Sequence, residues 1–390
     1  MVNMNKIVSI LLIFFFISGP FAVAVSPVSA SELVADSWTT KTPMTQARAS
    51  LGVVAVENRI YAIGGYTSDI VDEYNIVGNY WGTNECYDPE TDTWVTLEPM
   101  PTPRAGFAIA EYKGKIYCIG GTNLVNVVEV YDVATNRWNT KAPVPCDVRD
   151  ATNLHVIGVI DGKIFVINGV NLYLYTYDIF ADSWTTKTIG LTLSWGTGFV
   201  STVVDDKIIV IGKYGEHTSL EQKVLIYEPK SDIWSETKST IDTHYDNSGA
   251  ATTGRYAPKR VYVLGTLGNY AYDPVSNDWT TVATLPSDRI DFGVAVVDDI
   301  LYVIGGYTIT WGYDQFGNFR SFDHFSSLNE QYIPIGYHDP MGIFEFLSIQ
   351  FTVVLVLTVG IAGGLFFYFK RKTTKKGFTG DISNIDFWRL

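Results

Sequence analysis

Of the chain's 390 residues, 47% are hydrophobic, 14% aromatic and only 18% charged, a balance that suits either two ordinary domains or one large repeat array. The net charge of −13 argues against nucleic acid as a partner, because an acidic surface repels phosphate.

The first predicted element is a targeting segment. Lys6 precedes an apolar run from Ile7 to Ile17, and Val28-Ser29-Ala30 supplies small residues before Ser31. This is the pattern of a cleaved export signal over 1–30, with an apolar run too short to span a bilayer as a mature helix.

From there one spacing governs the chain. A tyrosine stands seven residues before a tryptophan at Tyr87/Trp94, Tyr131/Trp138, Tyr177/Trp184, Tyr227/Trp234 and Tyr272/Trp279. An acidic residue follows each tyrosine, and turn formers such as Pro89, Asn136 and Ser231 fill the gap, so each unit reads as strand, tight turn, strand. Trp38 lacks the tyrosine and Tyr332 lacks the tryptophan. A linear array has no reason to begin and end with complementary halves, whereas a ring closes its last sheet in this way. The tyrosines are 44, 46, 50, 45 and 60 residues apart, in the range of four-stranded propeller blades.

Between these units lie further hairpins. Ser50 to Glu57 is followed by a turn at Asn58-Arg59 and by Ile60 to Gly65, and Phe107 to Tyr112 is followed by Ile116 to Gly121. The phrase returns around Asp161-Gly162, Asp205-Asp206 and Asp298-Asp299. Their nearly continuous apolar runs predict inner strands buried on both faces. Gly64-Gly65, Gly120-Gly121 and Gly305-Gly306 end three of the units, while Asn168-Gly169, Ile211-Gly212 and Leu264-Gly265 stand in the middle ones.

Hydrophobic run, double glycine, Tyr-Asp pair and spaced tryptophan together resemble the kelch repeat, and Phe107 to Trp138 fits it closely. The resemblance covers Trp38 to about Tyr332. It implies an all-β fold, a six-bladed kelch β-propeller over 31–336 with strands a to d from the axis outward. Trp38 would lie in strand d of blade six, outside a strand c containing Tyr332. The repeated tyrosines and tryptophans are then structural, packing blade on blade.

The strand order puts the b–c and d–a connections on one rim, and the chain leaves from the other. Two b–c connections are long, 22 residues from Gly65 to Tyr87 and 26 from Gly306 to Tyr332, and they belong to neighbouring blades one and six. They carry Tyr66, Tyr74, Tyr80 and Trp81 in one, and Tyr307, Trp311, Tyr313, Phe316, Phe319 and Phe322 in the other. These aromatics form either a ligand-contact surface or a lid packed on itself. The d–a connections place Arg48, Arg104, Arg149, Ser194, His244 and Arg289 at one repeating position. The guanidinium groups either hold a carboxylate or sulfate, or brace loop carbonyls and neighbouring acids.

Five histidines without paired spacing and three scattered cysteines (Cys86, Cys118, Cys146) predict no metal, no cofactor, no disulfide framework and no catalytic residue. Exported sialic acid mutarotases are also six-bladed kelch propellers. The resemblance implies an alternative in which Arg48 and Arg289 hold a sugar carboxylate while Asp69, Asp72 or Glu73 moves a proton.

After a linker over 337–345, the 24 residues 346–369 contain no charge, and Lys370, Arg371, Lys372, Lys375 and Lys376 follow at once. This predicts a transmembrane helix with 370–390 as a basic cytoplasmic tail. Gly360 and Gly364 form a GxxxG that suits a weak dimer. Without the leader and tail, the exported part carries a charge near −18. The sequence thus describes a cell-surface propeller that binds a protein or glycan ligand through its membrane-distal rim.

Overall fold

The computed structural model describes residues 33–338 except 71–75, 123–125, 148–153, 169–172, 190–198, 215–220, 240, 242–247, 267 and 315–318. The leader, the 346–369 segment, the tail and the Gly360/Gly364 pair lie outside the described residues, as do Tyr74, Arg149, Ser194, His244 and Phe316. Among the described residues no helix is long and apolar enough to cross a membrane.

From Ala35 onward the described chain is all strand and turn. After β1 (Ser37–Lys41), blade one takes β2 (Gly52–Val56) and β3 (Arg59–Ile63). A separate hairpin of β4 (Tyr66–Ile70) and β5 (Ile76–Tyr80) follows, then β6 (Asn84–Asp88) and β7 (Thr93–Leu97) complete the blade. Blade two is β8 (Ala108–Tyr112), β9 (Lys115–Ile119), β10 (Val128–Asp132) and β11 (Arg137–Lys141). Blade three is β12 (Leu154–Ile160), β13 (Lys163–Asn168), β14 (Tyr173–Asp178) and β15 (Ser183–Thr188). Blade four is β16 (Val200–Val204), β17 (Lys207–Tyr214), β18 (Glu221–Glu228) and β19 (Ile233–Lys238). Blade five is β20 (Ser248–Ala251), β21 (Val261–Leu264), β22 (Asn269–Asp273) and β23 (Asp278–Val282). Blade six opens with β24 (Gly293–Val297) and β25 (Ile300–Ile304), carries a second separate hairpin of β26 (Tyr307–Tyr313) and β27 (Phe319–Phe325), and ends with β28 (Asn329–Ile333).

β1 pairs antiparallel with β28 and completes blade six, with Trp38 opposite Tyr332. The inner strands β2, β8, β12, β16, β20 and β24 touch in turn, and β24 touches β2. The unit is therefore a closed six-bladed β-propeller.

Most a–b turns follow from residues that tolerate positive φ. Glu57-Asn58, Lys113-Gly114, Asp161-Gly162, Asp205-Asp206 and Asp298-Asp299 all lie at φ between 49° and 74°, the two-residue hairpin geometry that matches strand twist. In blade one the turn is Glu57-Asn58, one residue earlier than the sequence suggests, because Arg59 already pairs with Val56. Blade five instead joins its strands through 252–260, held by a buried carboxylate. Asp299 accepts the N–H groups of Thr253, Tyr256 (2.7 Å) and Ala257 (3.0 Å).

The Tyr-Trp spacing becomes a clip between blades. All six pairs face each other across strands c and d, with ring centroids 4.6–5.1 Å apart. Each tyrosine hydroxyl donates to an Asp or Asn two residues before the tryptophan: Asp36, Asp92, Asn136, Asp182, Asp232 and Asn277, at 2.5–3.0 Å. All six sit at positive φ, which Asp and Asn tolerate best among residues with a Cβ. In four blades the same side chain also accepts a backbone N–H from the end of the preceding blade: Thr42, Glu98, Ala142 and Ala283. The tryptophan indole donates to the carbonyl of that same residue, at 2.7–3.0 Å for Trp94, Trp138, Trp184 and Trp38. One residue at the end of each of four blades is thus gripped through both its N–H and its C=O. Trp234 and Trp279 find no such partner among the described residues.

Candidate functional site

The rim that carries the b–c and d–a connections holds the predicted site residues, and the structure sorts them into two groups. The first is internal. Arg48, Arg104 and Arg289 are fully buried and form ion pairs with Glu85 (2.7 Å), Glu129 and Glu330 (2.5 Å), which lie two residues before the strand-c tyrosine of the same blade. Each guanidinium also donates to a strand-b carbonyl: Ala62 (3.3 Å), Cys118 (3.1 Å) or Val303 (2.9 Å). Thr45, Thr102 and Ser287 hydroxyls donate to the same glutamates. Burial lowers the Arg48 guanidinium to about 10 against the opposing pull of Glu85, so it remains a cation at neutral pH. A buried charge needs such a partner set, and here the terminal guanidinium nitrogens find it, while the buried Nε of each arginine has no hydrogen-bond partner among the described residues. These three side chains are therefore oriented into their own blades, with no face turned to a rim ligand.

Their effect reaches the rim through the backbone. The second glycine of two of the three double pairs, Gly65 or Gly306, donates its N–H to the carbonyl of the next blade's arginine, Arg104 (3.0 Å) or Arg48 (2.9 Å). Both glycines lie near φ +95°, and a Cβ there would meet the Ala49 or Ile290 carbonyl at under 3 Å. Blades three to five lack the double glycine and also lack a glutamate at the matching strand-c position, where Tyr175, Leu225 and Tyr270 stand.

The second group is the pair of b–c connections, which are β-hairpins rather than irregular loops. Alternation of Thr with Tyr, Ile and Trp over 307–311 suits a pleated ribbon with two different faces. Their bases are anchored on the arginine links: Ala49, next to Arg48, bridges Tyr66, and Ile290, next to Arg289, bridges Tyr307. The Arg48 N–H also donates to the Ser326 carbonyl (3.2 Å), so one link serves both hairpins. Between them Tyr66 meets Phe325 edge-on at 5.3 Å, and Ser68 donates to Asp323 at 3.3 Å. Trp81 is half-buried, with its indole donating to Thr67 (3.2 Å).

The β26–β27 register puts Tyr307, Ile309, Trp311, Tyr313, Phe319 and Phe325 on one face. Tyr307 and Phe325 are half-buried at the base, but Ile309, Trp311, Tyr313 and Phe319 are 44, 69, 75 and 61% exposed. Trp311 stacks beside Phe319 at 6.1 Å, and Tyr313 meets Phe319 edge-on at 5.3 Å. The sequence signals Trp311 and Tyr307 but not Ile309, whose role follows only from the register.

At the axis, strands a begin around a cavity of 380 Å³ whose lining includes Ser50, His155, Ser201, Ser248 and Asp291. Ser50 donates to Asp291 through both its backbone and its hydroxyl, each at 2.9 Å. His155 lines the cavity, with its ring centroid 4.7 Å from that of Phe199 and its side chain exposed to the cavity space. Cys86 and Cys118 are free thiols, and burial pushes Cys118 up to about 12, far from reactive. No cluster of metal-ligating side chains occurs among the described residues.

The Kelch motif profile matches residues 47–101 and 103–145, which are blades one and two with the links that lead into them. The chain belongs to the kelch-repeat β-propeller family. Similar proteins include beta-scruin of Limulus polyphemus, 33% identical over 28% of this chain and 12% of its own length. Kelch-like protein 25 of Xenopus tropicalis is 26% identical over 52% of this chain and 35% of its length. The influenza virus NS1A-binding protein homolog of Mus musculus is 41% identical over 21% of this chain and 11% of its length. This kelch propeller thus spans about a third or less of the relatives it matches.

Proposed function

We propose that this kelch propeller is a protein-binding module, held at the cell surface by its C-terminal segment, whose contact surface is the exposed face of the β26–β27 hairpin. The observation that carries the reading is the set of four exposed apolar side chains on that one face, anchored at its base to a rigid ring. Other large exposed apolar residues of the propeller, such as Val95, Phe180, Ile233 and Val275, are scattered singly. Contiguous exposed aromatics on a fixed scaffold mark interaction surfaces. A relative's name, NS1A-binding protein, agrees with protein binding as the family's mode of action. The membrane span and export signal are inferred from the 24 uncharged residues 346–369 and from the leader.

A carbohydrate ligand is the competing occupant, since sugars also stack on such rings. The sugar-modifying alternative loses its carboxylate holders, because Arg48 and Arg289 are buried and ion-paired with Glu85 and Glu330. Surface crosslinking on intact cells tests the proposal. A partner captured by the wild-type chain should be lost with Trp311→Ala/Phe319→Ala, and its retention would overturn the reading. A glycan-array signal lost in the same variant would instead assign the face to carbohydrate.

A further inference from the structure

We infer that the partner seated on this hairpin is a basic, extended protein segment, an inference that rests on the hairpin's being the contact surface. The argument starts from where the positive charge is not. Between Ile60 and Pro103, a stretch that includes strands β4 and β5, the chain has no lysine or arginine, while Asp69 stands on β4. The stretch from Gly305 to Leu328 carries one arginine, Arg320, against Asp314 and Asp323. The link into blade six adds the exposed carboxylates Asp288 and Asp291.

The opposite rim is also rich in acids, but there the chain spends its bases on them. Arg59 pairs with Asp88, Lys115 with Asp132, Lys207 with Glu228, Lys230 with Asp206 and Lys259 with Asp205. On the hairpin rim the basic side chains of the described links, Arg48, Arg104 and Arg289, are buried and already matched by glutamates. The rim field is therefore negative next to an exposed aromatic face.

That combination selects a partner. Lysine and arginine side chains bring an apolar stem to pack on Ile309 and a cation to lie over the Trp311, Tyr313 or Phe319 ring, while the rim carboxylates attract it from a distance. An acidic segment meets the same rings against the field, and a purely apolar one gains nothing from it. A two-stranded hairpin also has outer edges free of ladder partners within its own sheet, so an extended segment can dock by main-chain bonds with alternate side chains on the aromatic face.

The test uses the full chain in detergent against an array of 12-residue peptides of graded net charge, with glycans and acidic peptides on the same surface. Peptides that alternate lysine or arginine with apolar residues should bind, weaken several-fold on raising salt from 50 to 300 mM, and lose roughly tenfold or more in affinity with Trp311→Ala/Phe319→Ala. Asp288→Lys, a surface change far from the rings' own packing, should weaken the same peptides and leave thermal melting unchanged. If the aromatic variant loses neutral or acidic ligands instead, the hairpin stands as the contact surface and the basic partner is refuted. If no basic peptide binds, or binding ignores salt, the inference also falls. If the aromatic variant binds every ligand like the wild type, the contact-surface reading itself fails.

Discussion

An arginine with no face to the solvent is a poor ligand-binder and a strong brace. Truncating one member of a buried pair strands the other charge, so Arg104→Met should cost about 3–5 kcal/mol in denaturant melts. Arg104→Met/Glu129→Leu should recover most of that loss, and equal instability of single and double variants would refute the account. Titration gives a second residue-scale prediction. Burial raises the Asp92 carboxyl, but the Tyr87 hydroxyl and the Thr42 N–H outweigh it, and the net position is below the ordinary value. Asp182 and Asp299 are also held low, Asp182 by Tyr177 and Ala142, Asp299 by three N–H groups that outweigh its burial. Their folded pKa values are depressed, so the unfolded chain binds protons first. The stability they confer is present above pH ~4 and is lost as pH falls through the folded values. Asp92→Asn keeps the acceptor, as Asn136 and Asn277 already do, and should leave neutral stability nearly unchanged while making the acid limb shallower.

At the scale of elements, the strand pairs were legible because a seven-residue Tyr-Trp step places the two rings opposite each other across a tight turn, and no other common element repeats that way. Inner strands were legible from unbroken apolar runs. The residues that lock the elements together were harder to read. Glu85, Glu129 and Glu330 recur two before a tyrosine, and Asp36, Asp92 and Asn136 two before a tryptophan, yet an isolated acid in a strand reads as a solvent-facing residue until its partner from another strand is known. The rim arginines left two readings open, ligand or brace, because guanidiniums recurring on links suit either and burial is not written in spacing; Arg48, Arg104 and Arg289 are braces. The long connections looked like loops because Gly312 and the polar stretch around Asp69 interrupt their alternation. As ribbons they are separable from the blade: replacing 308–324 with a short Gly-Ser turn should keep the β25–β28 pairing and the melting temperature within a few degrees, while abolishing partner binding. A large loss of melting temperature would show that the hairpin supports blade six.

The whole molecule is a ring whose seams are unequal. Four neighbour interfaces carry the peptide grip, including the one that joins Ala283 to Asp36 and Trp38, so the closure made by the chain's first strand is chemically the same as an internal one. Deleting 31–42 removes that grip and exposes β28 as an edge, and it should abolish the single cooperative transition. An unchanged transition would refute closure by β1. The interfaces led by Trp234 and Trp279 lack the indole bond, and hydrogen exchange should show blades three to five opening before the covalently discontinuous blade six.

Closure by the first strand also sets a schedule. Asp36 and the Tyr332 hydroxyl it accepts are 296 positions apart, so at about 5–20 residues per second a ribosome needs roughly 15–60 s to deliver the second after the first. Throughout that interval β1 is a finished strand with nowhere to pair, and five blades can stack while the sixth waits. The earliest strand made is the last one placed, and any factor that shields nascent segments has its longest task at residues 37–41.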